Sequence, residues 1–223
     1  MDSNRKTAAI VGVLFIIATA APMISIVFIG SIYDTDYLTA VSASENQVLT
    51  GVLLLLTMTA AIVSIPIMMF PILRKHDESS ALGYVGARIF EGLFSAINLI
   101  ILLSLLSLSR EFVNAGAPVA SYFQTSGALL LAGFDWGSVL LDFPFCLSVL
   151  VVNCVLYKSK LIPRWLSGWG LIGGAAFLVT APVHLFGLLP PELEVLAIII
   201  AAQEMVFAVW LIVKGFNSSA TAS

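Results

Sequence analysis

The stretch ALGYVGARIFEGLFSAINLIILLSLLSL, residues 81–108, carries only two charges, Arg88 and Glu91. A run this long and apolar exceeds the ~20 residues that cross a bilayer as a helix. A charge inside such a run costs at least ~2.5–3.5 kcal/mol on insertion scales, so it needs a partner, a watery cavity or a neutral protonation state. The stretch therefore predicts a membrane span with a polar point that matters. Working outward, similar runs lie at about 7–30, 49–73, 127–157, 165–189 and 193–214. The expected fold is all-α: a polytopic six-transmembrane-helix bundle in a single domain over 1–223. The third and fourth spans are longer than a bilayer requires, which predicts tilt or protrusion into water.

Composition agrees with this reading. Of 223 residues, 60% are hydrophobic and only 10% charged, against about a quarter charged in ordinary soluble domains. Six spans with short loops use up the chain and leave no length for a soluble domain.

Basic residues set the expected orientation. Arg5, Lys6, Arg74, Lys75, Lys158, Lys160, Arg164 and Lys214 all fall on one side of the six-span arrangement, against Asp2, Asp77 and Glu78, for a net +5. The opposite side holds Asp34, Asp36, Glu45, Glu111, Glu192 and Glu194 against Arg110, a net −5. The positive-inside rule then places both termini in the cytoplasm. Residues 1–20 also resemble a signal peptide, with Arg5-Lys6 before an apolar stretch and Ala18-Thr19-Ala20 as a cleavage site. The apolar run continues past Pro22 to Phe28, however, and is longer than a signal core.

The outer connections are expected at about 31–48, at 109–126 with Gly116, Pro118, Tyr122 and Gln124, and at a Pro190-Pro191 corner. The first of these is polar enough to be ordered only by contact with the rest. Arg74 to Ser80 and Lys158 to Arg164 are short, which makes the flanking helices antiparallel neighbours. Gly133/Gly137 and Gly170/Gly174 are Gly-x-x-x-Gly pairs, read as helix contacts. Pro66, Pro71, Pro144 and Pro182 are expected to kink or end helices. Cys146 and Cys154 lie about 12 Å apart along one helix. That is beyond disulfide reach of about 7 Å, so both read as small apolar fillers.

At 100° per residue, Arg88, Glu91, Ser95 and Asn98 share one quadrant of the third span. Asp135, Asp142 and Asn153 nearly superimpose on the fourth, with Ser138 and Cys146 beside them. By helical rise, Arg88 and Glu91 lie about 10 and 15 Å from Ala81, and Glu204 about 15 Å from Lys214. With Asp142 near the middle of its span, Arg88, Glu91, Asp142 and Glu204 form the main candidate layer for a ligand or proton. One cation against three carboxylates leaves negative charge for a bound cation or proton to offset. Asp135 and His184 are a weaker outer grouping. Thr180, one turn before His184, is an alternative local partner for the imidazole.

Several chemistries are set aside. His76 and His184 cannot make a multi-histidine metal centre. Gly-x-Ser-x-Gly, Walker and Cys-x-x-Cys motifs are missing from the sequence. The expected partner is the lipid bilayer, with a small solute, ion or proton as ligand. Neither a cofactor, a metal nor a nucleic-acid partner is expected.

The chain resembles a family of prokaryotic integral membrane proteins grouped as domain of unknown function 4386 (DUF4386). The residues that carry the resemblance are Arg5-Lys6-Thr7-Ala8-Ala9 leading into Gly12-Val13-Leu14-Phe15; Gly86-Ala87-Arg88-Ile89-Phe90-Glu91; Leu156 to Leu166 around Pro163-Arg164; and Gln203-Glu204-Met205 followed by Trp210 to Phe216. The resemblance implies a compact six-helix protein of a prokaryotic plasma membrane and no established activity. It covers Arg88, Glu91, Glu204 and the Pro163-Arg164 turn but not Asp135, Asp142 or His184, and so favours the inner layer.

Three readings follow. The first is a protein that binds or moves a small solute, ion or proton at Arg88, Glu91, Asp142 and Glu204. The second is a structural or regulatory protein whose polar layer clamps helices. The third is an intramembrane lipid-acting enzyme, which needs Asp135 and His184 within hydrogen-bond reach of one another.

Overall fold

The computed structural model describes residues 3–117, 122–188 and 195–217. Among these there are seven α-helices and no strand: α1 (Ser3–Ile29), α2 (Tyr37–Ala43), α3 (Glu45–Leu73), α4 (Glu78–Asn114), α5 (Tyr122–Ser159), α6 (Arg164–Leu185) and α7 (Val195–Val213). Six of them are long and apolar enough to cross a membrane. Large apolar side chains such as Leu53, Leu56, Leu93, Ile100, Ile172 and Ile198 stand exposed around the bundle. A surface of that kind belongs in lipid, and the chain is a multi-pass membrane protein. The Pro190-Pro191 corner, Pro118, Asp2, Glu192 and Glu194 lie outside the described residues.

The six long helices pack as a closed ring in the order α1, α3, α4, α5, α6, α7 and back to α1. Small residues set the closest approaches. A side chain at Gly12 of α1 would meet the Ala208 carbonyl of α7 at 2.6 Å, and one at Gly92 of α4 would meet Val63 of α3 at 2.7 Å. Within the Gly-x-x-x-Gly pairs, Gly137 makes room for the Asn98 amide, Gly170 for that of Asn153 and Gly174 for Val149, whereas Gly133 has only ordinary contacts. Pro22, Pro66, Pro71, Pro144 and Pro182 all sit inside helices rather than at their ends.

Ring closure is reinforced at the basic end. The Arg5 guanidinium donates to the carbonyls of Leu211 (2.9 Å), Ile212 (2.6 Å) and Val213 (2.9 Å), the last turn of α7. These are acceptors that a helix C-terminus leaves without intrahelical partners, and a cation there also opposes the negative end of the helix dipole. Asp77 does the reverse for α4. Its carboxylate accepts from the Ser80 backbone N–H (3.0 Å) and hydroxyl (2.7 Å), which caps the helix start.

The outer end differs from the sequence reading. The first connection contains a short 3₁₀ turn (Gly30–Tyr33) and α2, rather than open chain. Ile32, Leu38 and Val41 from this segment are buried, in an apolar cluster with Leu102, Leu105, Phe112 and Phe123. Much of the expected second connection is helical, because α4 and α5 run to 37 and 38 residues. At 1.5 Å per residue each is about 55 Å long and protrudes well beyond a ~30 Å hydrocarbon core. A second apolar cluster, including Phe15, Met69, Tyr84, Leu156, Leu166 and Leu211, fills the basic half. Between the two clusters lies a polar belt.

Candidate functional site

The belt begins on α4, where apolar helix on either side leaves one stripe of polar side chains facing inward. Arg88, Glu91, Ser95 and Asn98 are all buried, at 2%, 2%, 3% and 8% exposure. Each of the last two reaches a different neighbour. Ser95 shares a 2.6 Å hydroxyl contact with Thr59 of α3, and Asn98 donates to Ser138 of α5 at 3.0 Å. The stripe therefore gives the Ser95 hydroxyl and the Asn98 NH₂ partners that the hydrocarbon could not supply, while the Asn98 Oδ1 has none among the described residues.

Arg88 is the centre of the belt. One guanidinium nitrogen, Nη1, lies 3.2 and 3.1 Å from Glu91 Oε1 and Oε2, one turn along the same helix. Nη2 donates to Glu204 Oε1 of α7 at 3.2 Å. The rings of Phe15, Tyr84 and Phe145 surround the guanidinium, with centroids at 5.9, 5.8 and 5.4 Å. Aromatic faces attract a desolvated cation, so charge and packing both hold Arg88 in place. Its Nε and the Asn153 Oδ1 have no protein partner among the described residues. Both residues line a small space of about 10 Å³ with Gln203 and Glu204, which is about the room one water molecule occupies.

On the other side of Arg88 lies a larger cavity of about 400 Å³. All six long helices contribute to its wall: Thr19, Met58, Arg88, Glu91, Asp142, Phe177 and Glu204 are examples. It runs from Glu204 to Ala197 along α7, about 10 Å of helical rise. Its far rim is exposed, with Met23 at 65%. The cavity thus extends from the Arg88 layer toward the start of α7. The Thr19 hydroxyl, on its wall, faces Glu204.

The four main candidates are brought together unevenly. Glu91 and Glu204 are ion-paired to Arg88 at 3.1 and 3.2 Å. Asp142 faces the same cavity, yet makes no ion pair among the described residues. The outer grouping is not brought together. Asp135 is exposed and accepts a 3.0 Å hydrogen bond from Tyr33 Oη. His184 is exposed as well, and Thr180 donates to the Phe177 carbonyl (2.7 Å) rather than serving the imidazole. No direct hydrogen bond or ion pair joins Asp135 to His184 among the described residues. Phe15, Tyr84, Phe145 and Thr19 belong to the site without having been singled out in the sequence. Aromatic and hydroxyl residues in apolar runs give no signal of their own there. No group of three or more potential metal-ligating side chains occurs among the described residues.

No curated protein and no solved structure matches this chain. A family model described as a domain of unknown function does, over residues 10–215. With nearly the whole chain matched and six apolar helices in place, this protein belongs to the DUF4386 family.

Proposed function

We propose that this protein binds, and passes across the membrane, a small cation or a proton at the Arg88–Glu91–Asp142–Glu204 layer. The observation that carries the reading is the 400 Å³ cavity whose wall includes all four of these side chains. With all four ionised the layer holds a net −2. Arg88 is shared by Glu91 and Glu204, which leaves Asp142 as the carboxylate without a cation. A carboxylate at this depth is costly alone, so a proton or cation there is stabilised relative to water. The cavity lies within the ~300–1,000 Å³ typical of small-molecule sites. Its mostly apolar walls, with Met23, Ile62, Phe177 and Ile200, suit an organic cation better than a hydrated metal ion. A bound cation would compete with Arg88 for Glu204 and so act on the contact between α4 and α7.

The test uses the full chain in nanodiscs with two probes. Tetraphenylphosphonium binding is followed by calorimetry, and proton uptake by a pH-jump dye assay. The expected result is saturable uptake of at least one probe that falls at least about tenfold in Asp142→Asn, as loss of one close charge pair implies. If neither probe is taken up, or if Asp142→Asn leaves uptake unchanged, the reading fails. The ion pair itself favours a second reading, in which Arg88 only clamps α4 to α7. A sealed, unresponsive cavity would leave that one standing.

A further inference from the structure

A second concentration of charge lies at the opposite end of the bundle, away from the central cavity. There the turn between α5 and α6 meets the segment that follows α7. Lys160 (φ 57°) and Gly215 (φ 74°) take left-handed backbone conformations that turn the chain at the two helix ends. The Asn217 N–H donates to the Leu161 carbonyl at 2.8 Å and fastens the two segments. Between them lies a cavity of about 490 Å³, lined by Lys160, Arg164 and Lys214 with no carboxylate in its wall. Lys160 and Lys214 make no ion pair among the described residues. Arg164, the first residue of α6, is held by the Tyr157 ring 5.2 Å from its guanidinium carbon. Its position also puts the start of α6, the positive end of that helix's dipole, at the cavity wall.

Trp210 and Lys214 have a second role. They also line an adjoining groove of about 400 Å³ along the outward face of α7, whose other residues are Met205, Val206, Val209 and Val213. The groove is about 12 Å long from Met205 to Val213 by helical rise. Val206, Val209 and Val213 stand 37%, 52% and 60% exposed along it. A cationic chamber at the membrane boundary therefore continues into an apolar channel, with an indole at the junction, where tryptophan is favoured. We propose that this composite site binds an anionic phospholipid, its phosphate among Lys160, Arg164 and Lys214 and one acyl chain along α7. Charge complementarity accounts for the chamber. The attached groove distinguishes a lipid from a free anion, which would use only the polar half.

The experiment uses full-length protein, delipidated in detergent. Native mass spectrometry and thermal shift are recorded on adding phosphatidylglycerol, phosphatidylcholine or inorganic phosphate. Phosphatidylglycerol is expected to stay bound and raise Tm, and phosphatidylcholine to do neither. The triple variant Lys160→Gln/Arg164→Gln/Lys214→Gln, whose side chains are solvent-exposed, should keep its lipid-free Tm. It should bind phosphatidylglycerol on the order of a hundredfold more weakly, at about fivefold per cation. Val209→Trp, which fills the groove and leaves the cations intact, should also weaken the lipid but not phosphate. Equal retention of both lipids, or an undiminished preference in the triple variant, overturns the proposal. Stabilisation by phosphate equal to that by phosphatidylglycerol, with Val209→Trp silent, overturns it in favour of a soluble anion.

Discussion

Arg88 carries three relationships at once: a carboxylate on its own helix, one on α7, and three aromatic rings. Removing one member of a buried ion network leaves the others uncompensated, which costs more than the network contributes. Arg88→Met is thus expected to lower stability by about 3–5 kcal/mol, and the triple variant Arg88→Met/Glu91→Gln/Glu204→Gln to recover most of that loss. Chemical denaturation in mixed micelles measures both, and additive losses would contradict a coupled network. At the start of α4, hydrogen bonds from Ser80 hold the Asp77 carboxyl below its ordinary value. Because the folded value is depressed, the cap's contribution is complete above the unfolded aspartate value and lost as pH falls through the folded one. Asp77→Asn should flatten that acid limb of a melting-temperature profile. Much of the Arg88 network was legible in the sequence. Charges within apolar runs name themselves, a spacing of three puts Arg88 and Glu91 on one face, and helical rise places Glu204 at their depth. The role of Arg5 was not legible, because a basic residue before a first span reads as topology whether or not it reaches a helix end.

Long helices were visible because twenty or more apolar residues permit nothing else in a bilayer, and six helices of that length and character are present. α2 was missed for the opposite reason. At seven residues it buries only Leu38 and Val41, too few for a periodic signal, and Asp34 and Asp36 before it read as open loop. Its order comes from the protruding part of α4 and α5, which supplies Leu102, Leu105 and Phe112 as a surface. The glycine pairs were legible as contacts, but not as sockets for asparagine amides. That distinction is testable. Gly137→Ala should cost about 1–3 kcal/mol through overpacking, and Asn98→Ala in the same chain should relieve it, since the added methyl meets the Asn98 amide. If Asn98→Ala gives no relief, the α4–α5 contact is limited by backbone rather than by that side chain.

Across the whole molecule, charge is sorted by end. The ring brings the start of α1 against the end of α7 through Arg5, so both chain ends share the basic face. The positive-inside rule assigns that face to the cytoplasm. A fluorescent protein fused after Asn217 should therefore mature, and alkaline phosphatase at the same point should stay inactive. Active phosphatase would invert the assignment. The cavity itself could not be read from the sequence. Its wall is drawn from all six long helices, and no single segment encodes that.

The three-residue spacing of Arg88 and Glu91 has a further consequence for biosynthesis. α4 brings its own counter-ion, so its buried charge is balanced when it leaves the translocon, well before the chain is complete. α7 holds a single charge, Glu204, and enters last and unbalanced, at a cost of about 2.5–3.5 kcal/mol if nothing receives it. The cation that receives it is already in position. Final integration of α7 is thus coupled to correct placement of α4, and a nascent chain that misplaces α4 leaves its last span poorly retained and open to quality-control proteolysis.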